Sequence, residues 1–406
     1  MRVRTITTID EFRQLQAPWD KLLSKSPMNN VYLTWEWLFS WWEIFGDAAR
    51  KLHIMAIDDD KEELVALAPL LIHEKSLTPF LKTKTLEFLG SGEDEKDEVC
   101  SNYLDFIVAS GQEAALEIIF QEINKGFKQN LWQIVELKTV PTNSATLIFL
   151  DTGSSVIASS EGTKQSKLEL RLLRRPTGTP RNDIEIETTE PFPCAVITLP
   201  SSWDEYLMSL KRGWRYQIKK GREDLVLQGE IDCRDLTSQA DLEPAMKELI
   251  DLHQKRWQAQ GKPGAFGSPR FQKFHEKVIE RFAPNGWVGV RLLKINGRNV
   301  AGSYRFLYNQ TVYFYQSGYD HTLVSKIGLG VLERSYDIDG AIKSGFRFYD
   351  FYKAKAGSYK WHFAKDKREV CDLKIAQKNL AYHLFKGVNL LKGIKRVIVQ
   401  KITTSA

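Results

Sequence analysis

Between Phe282 and Ala364 the residue pattern admits few folds. Residues 287–294 and 300–308 are β-type runs separated by Asn296-Gly297, a dipeptide that closes a tight hairpin because both residues tolerate positive φ. Residues 311–318 extend the meander, and Ser325-Lys326-Ile327-Gly328-Leu329-Gly330 then opens a helix. Glycines at a strand-to-helix junction let backbone amides converge on one point. The helix N-terminus adds partial positive charge there, worth about 0.3–1 kcal/mol per anionic contact. Those two features together hold a pyrophosphate. The same letters also describe a plain tight turn, and it is the antiparallel meander in front of them that points to a ligand.

With 406 residues, 43% of them hydrophobic and 27% charged, the chain is globular and long enough for two cores. The longest apolar stretch, residues 64–72, is too short to span a bilayer, and the N-terminus lacks an apolar signal region. A cytoplasmic protein is expected. Cys100, Cys194, Cys233 and Cys371 are scattered and the seven histidines show no ligand spacing, so no metal is expected. The net charge of +6 matters only where it is concentrated.

The pattern divides the chain into residues 1–194, ending in a loop-rich stretch from about 142, then 195–376, then a basic amphipathic helix over 377–406. In the first part Trp35, Leu38, Trp42 and Phe45 recur at helical spacing ahead of Gly46, forming either core or an aromatic ligand platform. Residues 52–57 and 64–72 form a hairpin around an acidic turn, and 103–108 a short strand. That hairpin resembles the one at 290–307, a hint of duplication. In the tail, apolar residues from Leu380 to Val399 alternate with lysines and Arg396. Such a helix either docks on the second part or lies on an anionic membrane surface.

Three clusters can carry chemistry. A two-sided helix over 201–227 places Arg212, Arg215, Lys219 and Arg222 beside a stripe of Leu207, Leu210, Trp214, Ile218 and Leu225. This is a solvated cationic face or an anion site. His253, Arg256 and Trp257 share a second helix. Residues 346–352 alternate as a strand carrying Asp350, followed by Lys353 and Tyr359-Lys360-Trp361, a group suited to acid–base work or to salt bridging.

In this order, Trp37, Trp41-Trp42, Phe45-Gly46, Tyr103-Leu104-Asp105, Leu210, Arg215, His253, Arg256-Trp257, Phe266, Gly318-Tyr319-Asp320, Gly328, Tyr349-Asp350-Phe351 and Tyr359-Lys360-Trp361 resemble the GNAT acyltransferase superfamily. Within it they look like the CelD/BcsL-like branch of cellulose-biosynthesis acetyltransferases. The resemblance implies an α/β (α+β) fold of tandem GNAT-like domains, each a mixed, largely antiparallel sheet flanked by helices. It implies acetyl-CoA or another acyl-CoA as co-substrate, held by Ser325, Lys326, Gly328, Leu329, Gly330 and Gln316. A small-molecule or glycan acceptor would meet Arg215, His253, Arg256, Trp257, Tyr319 and Asp320. Asp350 would act as base or orienter, Tyr359 would protonate the leaving thiolate, and Lys360 would bind an anionic group. Ser325 stands where the general signature has Arg or Gln, and Lys326-Ile327 where the branch has Pro-Gly. Two alternatives share the architecture: a non-catalytic accessory protein of polysaccharide synthesis, and a FemAB-like transferase using aminoacyl-tRNA. Only the latter would involve nucleic acid.

Overall fold

The computed structural model describes residues 1–78, 81–152, 184–323 and 328–377. Ser325, Lys326 and the basic tail beyond Gln377 lie outside the described residues. Strand pairing is organised around one long strand, Asp366–Gln377. Its first part pairs antiparallel with Phe192–Thr198, from Asp366↔Val196 to Val370↔Phe192. Its second part pairs with Ile134–Pro141, from Val370↔Pro141 to Ala376↔Ile134. One strand of the C-terminal half thereby completes the sheet of the N-terminal half.

The result is a sheet of twelve described strands. From one edge it runs Ile231–Leu236, Val288–Ile295, Arg298–Tyr308, Thr311–Tyr319, Phe348–Lys353, then Phe192–Thr198 and the bridging strand, with Ile184–Thr188 paired to the bridging strand off this path. Beyond the bridge lie Ile134–Pro141, Leu81–Phe88, Leu70–Thr78 and Arg50–Leu52. A four-stranded sheet of Arg2–Ile6, Ile54–Asp58, Leu64–Ala68 and Ile107–Val108 sits in the N-terminal half. The Asn296-Gly297 hairpin forms as read, with φ of 51° and 76°.

Two expected elements are divided. The hairpin over 52–72 is shared between sheets: Leu64–Ala68 pairs with Ile54–Asp58, and Leu70–Thr78 with Arg50–Leu52. Pro69 stands at the switch, where a residue without an N–H cannot continue a ladder. The helix over 201–227 breaks into Trp203–Ser209 and Arg212–Val226, with Leu210 extended at ψ 157°. The break lets Leu207, Leu210 and Ile218 enter one core, which a straight helix would spread along its length. Arg222 leaves the cationic face. It donates to Ser335 Oγ (2.9 Å) and Asp339 Oδ2 (3.0 Å) and lies between the Trp203 and Tyr336 rings.

The tryptophan helix, Trp35–Phe45, is core. Thr34 caps it by accepting the Trp37 N–H, and Trp35, Trp37, Leu38, Phe39 and Trp41 are all buried. Trp37 reaches into the C-terminal half. Its ring meets Phe274 edge-on at 4.8 Å and Phe306 at 5.2 Å, with Tyr32 of its own half at 4.9 Å. Edge-to-face contacts of this kind add about 0.5–1.5 kcal/mol each beyond the area they bury. Across the sheet, Gly302 faces Gly318, and the helix Gln239–Gln258 rests on both. A Cβ on Gly318 would come 2.4 Å from the His253 backbone nitrogen.

Trp37→Ala is expected to cost about 3–5 kcal/mol, the range for a buried aromatic reduced to alanine. Urea denaturation followed by fluorescence measures this, and a loss below about 1 kcal/mol would show that the halves do not depend on this contact.

Candidate active site

The site lies where two neighbouring strands stop pairing. Thr311–Tyr319 and Phe348–Lys353 run parallel for three pairs, Thr311↔Phe348, Val312↔Tyr349 and Tyr313↔Asp350, and then part. A bulge accompanies the parting: Tyr304 faces Gln316 and Arg305 faces Phe314, leaving Tyr315 as the extra residue. Bulges bend a strand and withdraw one residue from the ladder. The gap opens into a cavity of about 250 Å³ between the two halves. Gln316, Tyr352 and Lys360 line it from one side, and Cys100, Asn102 and Thr139 from the other.

Backbone strain gathers here. Of the described non-glycine residues with positive φ, Glu62, Asn130, Asn296, Asn309 and Gln310 occupy hairpin and helix-end turns. The other four are Cys100 (φ 50°), Tyr103 (57°), Thr139 (58°) and Tyr352 (59°). Three line the cavity, and Tyr103 stands behind it. Side chains beyond glycine hold such conformations at a cost of order 1–3 kcal/mol each, and only where their surroundings enforce them. The same turn at Tyr103 shortens the expected strand over 103–108 to Ile107–Val108.

Asp350 supplies the enforcement at Tyr103 and Tyr352. It is fully buried in the middle of its strand. It accepts the Tyr103 hydroxyl at 2.8 Å and the backbone N–H of Tyr352 at 2.8 Å, and Arg368 Nη1 stands 3.4 Å away. Burial raises its carboxyl above the usual range, opposed by the Arg368 charge and these hydrogen bonds. Its partners come from both halves of the chain, so its place is that of a bracket.

Lys360 begins the short helix Lys360–Phe363 and faces the cavity. Its Nζ donates to the carbonyls of Phe351 (2.5 Å) and Lys353 (2.9 Å). Burial lowers the ammonium to about 8, against the pull of Asp350. As a neutral amine it has two N–H groups for those two carbonyls and a lone pair left over. Nearby, Asn102 Oδ1 and Tyr352 Oη are buried with no hydrogen-bond partner. Buried polar atoms are seldom left unmatched, so two in one cavity point to a ligand. Burial also raises the Tyr352 phenol well above its ordinary value, keeping it a proton donor. Cys100 also lines the cavity and remains exposed to solvent.

A second group surrounds the helix Leu329–Lys343. Gly328 precedes it at φ 80° with no side-chain cap, and its carbonyl receives the Val331 and Leu332 amides (3.1 and 3.3 Å). Leu329 and Gly330 stand in the first turn, ahead of that ladder. A Cβ on Gly330 would lie 3.2 Å from Tyr319. Arg256 stacks on the Tyr319 and Trp257 rings, 5.0 Å from each. His253 is buried beside Gln316 with Nε2 unpartnered, and burial lowers it to about 4. His253, Arg256, Trp257 and Tyr319 thus form one wall reaching Gln316 at the cavity.

Three other expected residues stand apart. Tyr359 is 44% exposed, its ring edge-on to Phe363 and outside the cavity lining. Arg215 turns back to the Met208 carbonyl (3.2 Å). Asp320 secures the end of its strand, accepting Thr322 N–H (2.9 Å) and pairing with Arg298. Sequence reasoning passed over Asn102, and over Cys100, Thr139 and Tyr352, whose backbone conformations no residue pattern announces.

Residues 212–361, which hold the gap, Lys360 and the glycine-led helix, match the family model for an acetyltransferase (GNAT) domain. Among solved structures, FemX is similar over 95% of this chain and 99% of its own, at 12% identity and a TM-score of 0.55. The fold is GNAT-like. L-PGS from Bacillus licheniformis aligns over 93% of this chain and 95% of its own, at 11% identity and TM-score 0.49. A tandem GNAT protein from the clavulanic acid biosynthesis pathway aligns over 93% and 99%, at 8% identity and TM-score 0.43. No curated protein matches the sequence. The architecture is a mixed α/β fold of large sheets flanked by helices, and no described helix is long and apolar enough to cross a membrane.

Asp350→Ala removes the acceptor of the Tyr103 hydroxyl and the Tyr352 amide. A stability loss of about 3 kcal/mol is expected from the buried donors it strands. Denaturation of the variant checks this, and a loss within 0.5 kcal/mol, the scatter of inert surface changes, would contradict the bracket role.

Proposed function

We propose that this chain is an acyltransferase that moves an acetyl or other acyl group from acyl-CoA to an amine or hydroxyl acceptor. The observation that carries the proposal is the parting of Thr311–Tyr319 from Phe348–Lys353 over a cavity that holds Lys360. Acyl-CoA suits the neighbouring groups. The uncapped first turn at Leu329 and Gly330 suits the pyrophosphate, and the open side of Gly328, where a Cβ would meet nothing, leaves room for it. The gap suits the pantetheine arm.

In this reading the acceptor nitrogen forms its bond to the acyl carbon while the carbon–sulfur bond breaks. The proton leaving nitrogen goes to Lys360 Nζ, whose lone pair is free when its two N–H groups are on the Phe351 and Lys353 carbonyls. The departing thiolate accepts a hydrogen bond from Tyr352 Oη, which holds its proton because burial raises its pKa. The Tyr315 bulge frees backbone from the ladder at the same point, where an amide can meet the carbonyl oxygen. Asp350 positions Tyr352 and takes no proton from the substrate. Holding both reactants in one cavity supplies much of the acceleration. We further propose an acceptor of envelope or exopolysaccharide synthesis and an enzyme at the cytoplasmic side, a reading supported by the residues that resemble the CelD/BcsL-like branch.

Calorimetry with acetyl-CoA is expected to show binding by the wild-type chain and at least about tenfold weaker binding by Gly328→Val, since φ 80° excludes a branched side chain. Equal affinities in a folded variant would remove the pyrophosphate from this turn. Activity has a pH signature as well. Burial lowers Lys360, so its neutral fraction grows as pH rises through about 8. Turnover of an amine acceptor should climb up to that pH and level off, and Lys360→Met should lose most of the rate along with that limb. A wild-type profile flat from pH 6 to pH 9, across the ordinary range of such a limb, would exclude Lys360 as the base.

A further inference from the structure

The break at Leu210 leaves the helix Arg212–Val226 with two unlike sides. Ile218, Gly221 and Leu225 are buried on the inner one, where Arg222 is drawn to Ser335 and Asp339. The outer side, at helical spacing, carries Arg212, Arg215, Tyr216, Lys219, Glu223 and Val226. Apolar side chains stand out of this side into water. Eight large apolar residues are exposed among the described ones, and four of them, Met208, Tyr216, Val226 and Leu227, belong to this short stretch, between 61% and 83% exposed. Exposed apolar residues scattered singly mean little. A run of them along one helix side, rimmed by charge, marks a contact surface.

The charge is equally one-sided. Lys220 is closed off by Asp224 (2.9 Å) and Glu223 (3.7 Å). Lys211, Arg212, Arg215 and Lys219 form no ion pair among the described residues. Arg215 Nη1 rests on the carbonyl and the sulfur of Met208, 3.2 and 3.3 Å away, so one cation lies directly beside one exposed apolar side chain. Lys211 precedes the helix without capping it, and no acid stands in the first turn. Cations at that end oppose the helix dipole and cost stability. A local choice that works against the fold is expected where a surface serves something else.

We infer that the outer side of Arg212–Val226 docks on an anionic membrane surface. The lysine and arginine heads would meet the lipid phosphates with their stems lying along the interface. Met208, Tyr216, Val226 and Leu227 would enter the boundary between headgroups and acyl chains. A nucleic acid would also engage the cations and stack on Tyr216, but it offers nothing to Met208, Val226 and Leu227. The inference does not depend on the acyl-transfer reading.

Co-sedimentation of the full chain with vesicles of phosphatidylcholine alone, and of phosphatidylcholine mixed with phosphatidylserine, tests it. At low salt the mixed vesicles should hold the chain and the neutral ones should not. Each basic residue near such a surface adds about fivefold to partitioning, so Arg212→Glu/Lys219→Glu should bind at least about tenfold more weakly. Tyr216→Ser/Leu227→Ser should bind at least about threefold more weakly. Both variants alter exposed side chains and should keep the wild-type melting temperature. No binding of the wild type to the mixed vesicles, or undiminished binding by either variant, would overturn the inference. Polyuridylate bound in that case, and lost with the charges, would assign the surface to nucleic acid.

Discussion

A carboxylate taken fully out of water has to be surrounded by donors, and Asp350 finds them on both halves of the chain. Tyr103 reaches it from the N-terminal half, while the Tyr352 amide and Arg368 come from the C-terminal half. The N–H it accepts belongs to a residue at φ 59°, a conformation a tyrosine does not keep unaided. That one interaction fixes the relation of the halves, the direction of Tyr352 and the end of strand pairing. The cavity exists because these are held together.

The large-scale architecture serves the same junction. The bridging strand carries hydrogen bonds from one half's sheet into the other's, and Trp37 plugs an aromatic cluster that neither half completes alone. The core is accordingly shared, with Trp37, Phe106 and Phe306 in one continuous cluster. A second, more polar layer lies behind the gap. Arg305 and Arg334 pair with the buried Asp337, and Arg334 lies 3.5 Å from the Phe314 ring centroid. Buried ion pairs contribute little net stability, but removing one partner is costly, so such a network fixes positions. Here it fixes the floor of the parted strands.

The sequence made local matters legible. Asn296-Gly297 dictated its hairpin, the tryptophan periodicity its helix, and alternation over 346–352 the strand bearing Asp350. Lys360 was legible as a neighbour of that strand, though its lowered proton affinity comes from burial, which no pattern of letters expresses. What stayed hidden depends on the meeting of distant segments. Cys100, Asn102 and Thr139 read as unremarkable loop and strand residues, and only the interface makes them cavity lining. Leu210 breaks its helix because the core lies to one side, a tertiary demand overriding a strong helical period. Arg222 looked like part of an exposed basic face until Trp203 and Tyr336 closed round it.

The central claim is that the gap between Thr311–Tyr319 and Phe348–Lys353, led to by the Gly328 turn, receives an acyl-CoA. Hydrogen–deuterium exchange of the intact chain with and without acetyl-CoA tests it most directly. The account requires slowed exchange in the first turn of Leu329–Lys343 and where the two strands no longer pair with each other, from Phe314 and from Phe351 onward. Unchanged exchange at those amides, under conditions where acetyl-CoA is shown to bind, would place the ligand elsewhere and contradict the account.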